Sequence, residues 1–230
     1  MNLCVIPARG GSKRIPRKNI KDFLGQPIIA YSIRVALESN LFDKVIVSTD
    51  DEEIAAIARE YGAETPFLRP ANLSDDYASA NEPIKHAIRW CKDKGFSLSY
   101  VCCIYATAPL LRVEYLIEAY EKLRNSGKYF AFSVTSFAFP IQRAIRINNK
   151  GVSMFYPQYL MTRSQDLEDS YHDAGQFYWG LPEAFLNNLT AFSNKSIPII
   201  LPRYLVQDID SLEDWRRAEL LYSAICRNNF

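Results

Sequence analysis

No stretch of this sequence is apolar for the roughly 20 residues that a bilayer-spanning helix needs, and the opening MNLCVIPARGGSKR lacks a basic region followed by an apolar one. Membrane insertion and secretion are therefore not expected, and a cytoplasmic setting is. Net charge is nearly absent too: 27 Lys and Arg against 26 Asp and Glu leave a formal +1. That balance gives no global drive toward nucleic acid or an anionic membrane, so any phosphate recognition has to be local. There is no Cys-x-x-Cys pair. The five cysteines, Cys4, Cys91, Cys102, Cys103 and Cys226, form an odd set, several within apolar runs where a free thiol acts as a small hydrophobe, which fits a reducing compartment. Two common phosphate-loop patterns are missing, G-x-G-x-x-G and G-x-x-x-x-G-K-[ST], which disfavours a dinucleotide oxidoreductase and a P-loop phosphohydrolase. Repeats and low-complexity segments are missing as well, so the default for 230 residues with 48% hydrophobic content is one compact domain over 1–230.

What the sequence does contain is an alternation of short β-type runs with amphipathic helical ones. This is the pattern of an α/β fold with a mostly parallel sheet flanked by helices on both faces. Leu3 to Pro7 reads as a buried strand, Pro27 opens a helix with Ile29, Ile33 and Ala36 on one stripe, and Lys44 to Ser48 returns as a strand. Thr49-x-x-Glu52 has the form of a capping box for a helix through Ile54, Ile57 and Ala58 that Gly62 ends. A helix is expected from about Asn81, with Ile84, Ile88 and Cys91 at helical spacing, and another over Val113 to Leu123. Further strands are expected over Tyr100 to Tyr105, Phe130 to Thr135 and Ile197 to Leu201. Ser211-x-x-Asp214 then signals a last helix with Leu212, Trp215, Ala218 and Tyr222 on one face.

Residues 139–170 break the rhythm, being rich in Tyr, Phe, Met, Arg and Asn without a clean stripe. They read as an insertion that makes the subunit contact of a homodimer, because exposed aromatics, Met and Arg are enriched in interfaces. A second reading is a β-hairpin, Arg143 to Ile147 and Val152 to Phe155, turning at Asn149-Lys150-Gly151 and packed on its own domain.

The chemistry starts in the loop Ala8 to Asn19, directly after the first strand. In an open α/β sheet ligands bind beyond the carboxyl ends of the strands, and Gly10-Gly11 let backbone N–H groups approach phosphate oxygens without Cβ interference. Ser12 adds a hydroxyl, and Arg9, Lys13, Arg14, Arg17, Lys18 and Lys21 concentrate positive charge that the near-neutral chain does not otherwise call for. A polyphosphate is the natural partner; a solvated basic turn is the alternative. Far along the chain, Asp208 and Asp210 lie two apart on an extended segment, so both point the same way and can share one Mg²⁺. Otherwise Asp210 or Ser211 caps the last helix and Asp208 is a surface acid.

The phrase Ile6-Pro-Ala-Arg-Gly-Gly-Ser-Lys-Arg-Ile-Pro-Arg-Lys-Asn-Ile20 resembles the signature of the CMP-sialic acid synthetase family of cytidylyltransferases. The similarity continues through Ser48-Thr-Asp50, Arg69-Pro70, Thr107-Ala-Pro109 and Gln207-Asp-Ile-Asp210. Tyr105 to Pro109 and His172 to Gly180 most resemble the pseudaminic acid branch, whereas the sialic acid branch usually shows Gln where Tyr105 stands.

The resemblance implies a single Rossmann-like nucleotide-diphospho-sugar transferase fold with a dimerisation insertion, and transfer of CMP from CTP to an acidic nine-carbon sugar with release of pyrophosphate. It places Arg9, Ser12, Lys13, Lys18 and Asn19 on the triphosphate, Mg²⁺ on Asp208 and Asp210, and the cytosine near Arg69 and the Ala8 backbone. Tyr105, Thr107, His172, Gln176, Phe177 and Tyr178 are the sugar candidates. Arg163 is a candidate for the sugar carboxylate, reaching across a dimer interface, or else pairs with Asp166 or Glu168. Of the two histidines, His86 reads as structural and His172 as functional; neither is assigned as general base. Other readings are a synthetase for sialic acid or an eight-carbon ulosonate, a metal-dependent glycosyltransferase, and a catalytically silent nucleotide-binding partner. Nucleic acid and membrane are not expected as partners.

Overall fold

The computed structural model describes residues 1–70, 73 and 81–228. The first strand, β1 (Asn2–Pro7), is an apolar run whose alternate side chains enter two different cores. Cys4 and Ile6 face one, Leu3 and Val5 the other, as a strand covered on both sides requires. A two-residue hairpin, β2 (Asp22–Phe23) and β3 (Gln26–Pro27), leads into α1 (Ile28–Glu38), and β4 (Lys44–Ser48) returns parallel to β1. Then follow α2 (Glu52–Glu60), α3 (Glu82–Asp93), β5 (Tyr100–Ile104), α4 (Val113–Arg124) and β6 (Phe130–Ser136). The chain continues through β7 (Ile145–Asn148), β8 (Gly151–Met154), β9 (Tyr171–Gly180), α5 (Pro182–Leu186), β10 (Ser196–Ile200) and α6 (Leu212–Asn228).

The main sheet runs β10-β6-β9-β5-β1-β4, parallel except for β9, which is antiparallel to both neighbours. On one face α1, α2 and α4 close the core with Ile29, Ile33, Ile54, Leu116 and Ala119. On the other, α3 and α5 contribute Ile84, Ile88, Cys91 and Phe185. A third cluster joins Phe23 and Tyr31 to Trp215 and Ala218, docking α6 against α1 and the β2–β3 turn. Each fully buried isoleucine contributes roughly 2 kcal/mol relative to exposure. The expected mostly parallel α/β sheet with helices on both faces is the fold observed.

Four sequence expectations shift. Helix α2 is capped by Asp51, whose carboxylate accepts the Ile54 N–H at 3.0 Å, and not through Thr49 and Glu52. Leu212 is 60% exposed, so the buried stripe of α6 is Trp215 and Ala218, with Tyr222 partly buried against them. The hairpin β7–β8 forms with the expected turn, but its side chains stand in solvent and do not pack on the domain. Strand β9 was not anticipated. Its sequence, YHDAGQFYWG, reads as polar and glycine-interrupted, yet it occupies the middle of the sheet.

Candidate active site

The carboxyl ends of β1, β4, β5 and β6 share one edge of the sheet, and the amino end of β9 meets them there. The loop after β1 leaves this edge with the Ala8 N–H donating to Ser48 O at 2.9 Å. Gly10 donates its N–H to Asp50 Oδ1 at 3.0 Å, and Ser12 donates its N–H back to Gly10 O at 3.0 Å. One of the loop donors expected to face phosphate, the Gly10 N–H, is thus engaged within the protein. Gly10 provides a close approach instead, since a Cβ there would sit 2.7 Å from Asp51 Oδ2, whereas a Cβ on Gly11 would meet nothing within 4 Å among the described residues.

The far end of the loop is fixed differently. Asn19 is buried and its amide donates to Arg9 O at 2.9 Å, closing the loop on itself. Lys18 donates to Ile209 O at 2.6 Å and lies 3.7 Å from Asp210, which also pairs with Arg14 at 2.8 Å. The basic loop and the Asp208–Asp210 segment are therefore brought together across 191 residues of sequence. Burial raises the Asp208 carboxyl above its ordinary range, the charge of Asp210 adds to this, and Lys18 opposes it. Carboxylate oxygens two residues apart suit a hard cation such as Mg²⁺, although Asp210 is engaged by Arg14 and Lys18 in this structure. Among the described residues no cluster of three or more His, Cys, Asp or Glu could hold a metal alone. The remaining ligands would have to be phosphate oxygens and water, as is usual for that ion.

Arg69 is buried beside this loop. Its guanidinium donates to Ser48 O at 3.0 Å and lies 3.8 Å from Asp50. Burial lowers its pKa, Asp50 counters, and the positive charge of Arg9 adds to the lowering. Positive charge gathered at this end of the sheet favours an anion-bearing ligand.

Next to it, Tyr105 extends β5. Its N–H donates to Gln176 O at 2.9 Å and its carbonyl accepts from Ser32 Oγ at 2.8 Å. The ring forms part of a cavity of about 270 Å³ lined with Ile84, Cys103, Tyr178, Phe185 and Phe192. Tyr178 stacks on Phe132 at 5.1 Å and donates its hydroxyl to Asp173. Burial pushes both tyrosine hydroxyls up, with the Asp173 hydrogen bond adding to Tyr178. Asp173 is placed by a bulge: register slips between Phe132 and Val134, Gly175 has φ 62°, and the Gly175 N–H donates to Asp173 Oδ1 at 2.9 Å. Such bulges re-aim side chains beside active sites.

Residues 3–176 match the family described as cytidylyltransferase. The chain belongs to that family. It is 51% identical over 96% of both chains to a pseudaminic acid cytidylyltransferase of Campylobacter jejuni. It is 32% identical to the N-acylneuraminate cytidylyltransferase of Escherichia coli, over 94% of this chain and 51% of that one. The solved structure of a CMP:2-keto-3-deoxy-manno-octonic acid synthetase complexed with CTP shares the fold, with a TM-score of 0.69 and 16% identity over 97% of this chain and 98% of that one.

Of the candidates read from its sequence, this cytidylyltransferase gathers Ala8 to Asn19, Arg69, Asp208 and Asp210 at one end of the sheet, with Tyr105 and Tyr178 sharing a cavity and Thr107 in the turn after Tyr105. Phe177 is not there. It points to the opposite face and is fully buried in the main core, because it alternates with Tyr178 along β9. Gln176 is buried and donates its amide to Leu205 O, while its Oε1 has no hydrogen-bond partner among the described residues. His172 is exposed, with its Nδ1 2.8 Å from Asp173 O and its ring against Phe137. Arg163 pairs with Asp166 at 2.8 Å in exposed chain, its structural alternative. His86 packs edge-on against Phe67 at 4.4 Å, and burial lowers its pKa, as for a structural residue. Sequence reasoning gives no role to Asp50 or Asp173, although both lie in phrases that carry the resemblance, and does not single out Asp51. For Asp50 the available signal was its position just past the end of β4.

Proposed function

We propose that this chain transfers CMP from CTP to a nonulosonic acid of the pseudaminic type, giving the CMP-sugar and pyrophosphate. The observation that carries this reading is the 51% identity, over 96% of both chains, to a pseudaminic acid cytidylyltransferase. The sugar hydroxyl attacks the α-phosphorus: the new O–P bond forms as the bond from the α-phosphorus to the oxygen it shares with the β-phosphate breaks, pyrophosphate leaves, and the hydroxyl proton passes to solvent. Such a displacement needs alignment and charge neutralisation more than an unusual side chain. Arg9, Lys13 and Lys18 neutralise the triphosphate, Gly11 and Ser12 line its path, and Asn19 keeps the loop closed. Arg69 and the Ala8 backbone take the cytosine. Asp208 and Asp210 hold Mg²⁺, which when bound lowers the phosphate charge facing the incoming oxygen. Tyr105, Thr107 and Tyr178 receive the sugar, with His172 and Arg163 at its outer side.

The reading also includes a homodimer within one 1–230 domain. The segment 139–170 presents Phe139, Ile147, Val152 and Met161 to solvent, and Met161 is 90% exposed. Apolar surface of that kind is usually covered by a partner. A cytoplasmic location accords with five free cysteines, four of them buried. Among the described residues no helix is long and apolar enough to cross a membrane.

The test is pyrophosphate release with Mg²⁺, comparing CTP with ATP, GTP and UTP, and pseudaminic acid with N-acetylneuraminic acid. Release confined to CTP and pseudaminic acid supports the reading. Release with N-acetylneuraminic acid instead keeps the reaction and changes the sugar, and no release with either removes the reading.

A further inference from the structure

Arg17 behaves unlike its basic neighbours. Its backbone lies in the left-handed region, φ 55° and ψ 30°, where a residue with a Cβ is uncommon and strained by on the order of 1 kcal/mol. Its guanidinium meets both oxygens of Asp51, one of them at 3.1 Å, and also reaches Glu53. Asp51 in turn caps α2 through the Ile54 N–H and fills the space left by the missing Cβ of Gly10. One carboxylate on a helix terminus therefore touches the basic loop at its start, Gly10, and near its end, Arg17. The hydrogen bond from Arg17 holds the Asp51 carboxyl below the usual carboxylate range.

We propose that Arg17 is a positioning residue and not a phosphate ligand: with Asp51 it latches the 8–19 loop to the start of α2 in the geometry that receives the triphosphate. This role presupposes that the loop holds CTP. The chain reversal at Arg17 turns the next residue, Lys18, toward Ile209 and Asp210, so the latch also sets where the loop meets the acidic segment.

The sign of one substitution separates the latch from its rival. Asp51 and Glu53 are anions beside a loop that must hold a polyanion. If Arg17 bound phosphate, removing the Asp51 charge would release a cation, lessen repulsion and tighten CTP. The latch requires the opposite.

The experiment measures CTP affinity by calorimetry with Mg²⁺ for the wild type, Arg17→Ala, Asp51→Asn and the double variant, together with amide hydrogen exchange of residues 8–19 without nucleotide. Asparagine still accepts the Ile54 N–H, so the helix cap is kept. Each single variant should weaken CTP roughly tenfold, and the double variant no more than either single one, since both break one contact. KM for the sugar should stay unchanged, Arg17→Lys should recover part of the loss, and loop exchange should speed up. Tighter or unchanged CTP binding in Asp51→Asn overturns the proposal. If the wild type binds no CTP, the functional reading falls and exchange decides: faster loop exchange in the variants keeps the latch, and unchanged exchange removes it.

Discussion

Gly10 and Asp51 pack so closely that a Cβ added to the glycine would lie 2.7 Å from the Oδ2 of the aspartate. The two residues belong to successive strand-to-helix connections, so the packing ties the first basic turn to the second. Gly10→Ala must push the Asp51 carboxylate aside, and with it the Arg17 pair. CTP affinity is expected to fall by roughly tenfold. Gly11→Ala, whose added Cβ meets nothing within 4 Å among the described residues, should cost clearly less in calorimetric titration, and equal losses would show that the contact with Asp51 is irrelevant.

Asp210 pairs with Arg14 and lies near Lys18. Asp210→Ala is expected to lower turnover on the order of 100-fold while leaving the circular dichroism spectrum unchanged. Raised Mg²⁺ should restore part of the rate if Asp208 still binds the ion. Full activity without Asp210 would end its assignment as a metal ligand.

Tyr105 forms part of the wall of the cavity that also contains Tyr178. Tyr105→Gln is expected to change the ratio of kcat/KM between pseudaminic and N-acetylneuraminic acid toward the latter, with KM for CTP constant. An unaltered ratio with lower rates for both sugars would make Tyr105 a packing residue only.

Ser211 and Asp214 cap α6 reciprocally: the Ser211 N–H donates to the carboxylate at 2.8 Å and the Asp214 N–H to the serine oxygen at 3.2 Å. Ser211→Ala should cost about 1 kcal/mol of stability. The hydrogen bond from the Ser211 side chain holds the Asp214 carboxyl below its ordinary range. A depressed folded value stabilises above the unfolded pKa of about 3.9 and is lost as pH falls through the lower folded value. The stability gap between wild type and Ser211→Ala should therefore narrow below about pH 4. Urea titrations at two pH values check this, and a gap that widens in acid contradicts it.

Ile147 is 80% exposed on β7. Under the homodimer reading, Ile147→Asp should convert the protein to a monomer in sedimentation while hardly altering its unfolding, because the side chain makes little contact within its own chain. A wild type that sediments as a monomer removes that reading.

Much of this architecture is legible in the residues. β1, β4 and β5 are short apolar runs bounded by polar loops, and Ile29–Ile33 or Ile84–Ile88 declare their helices by spacing alone. The position of the basic loop past β1 follows from the same reading. What escaped depends on long-range geometry. Strand β9 lacks a hydrophobic signature because the Gly175 bulge interrupts its alternation, so the sequence does not show that Phe177, a sugar candidate, lies in the core. Arg17 is indistinguishable from Lys18 in sequence; only the fold reveals that one turns to Asp51 and the other to Ile209. The Thr49 pattern fails because the Thr49 hydroxyl accepts the Asp51 N–H at 3.2 Å, which leaves Asp51 next to the helix to accept the Ile54 N–H.

Strand β9 has one more consequence. It separates β5 from β6, two strands made earlier during synthesis: β5 can already pair with β1 on its far side, whereas both neighbours of β6, β9 and β10, are still to come. Until residues 171–180 emerge, the nascent chain can form a β4-β1-β5 half-sheet with an open edge at β5, while β6 has no partner in the sheet. A truncation before Tyr171 would leave a protein that contains the nucleotide loop but ends its sheet at an uncovered β5 edge.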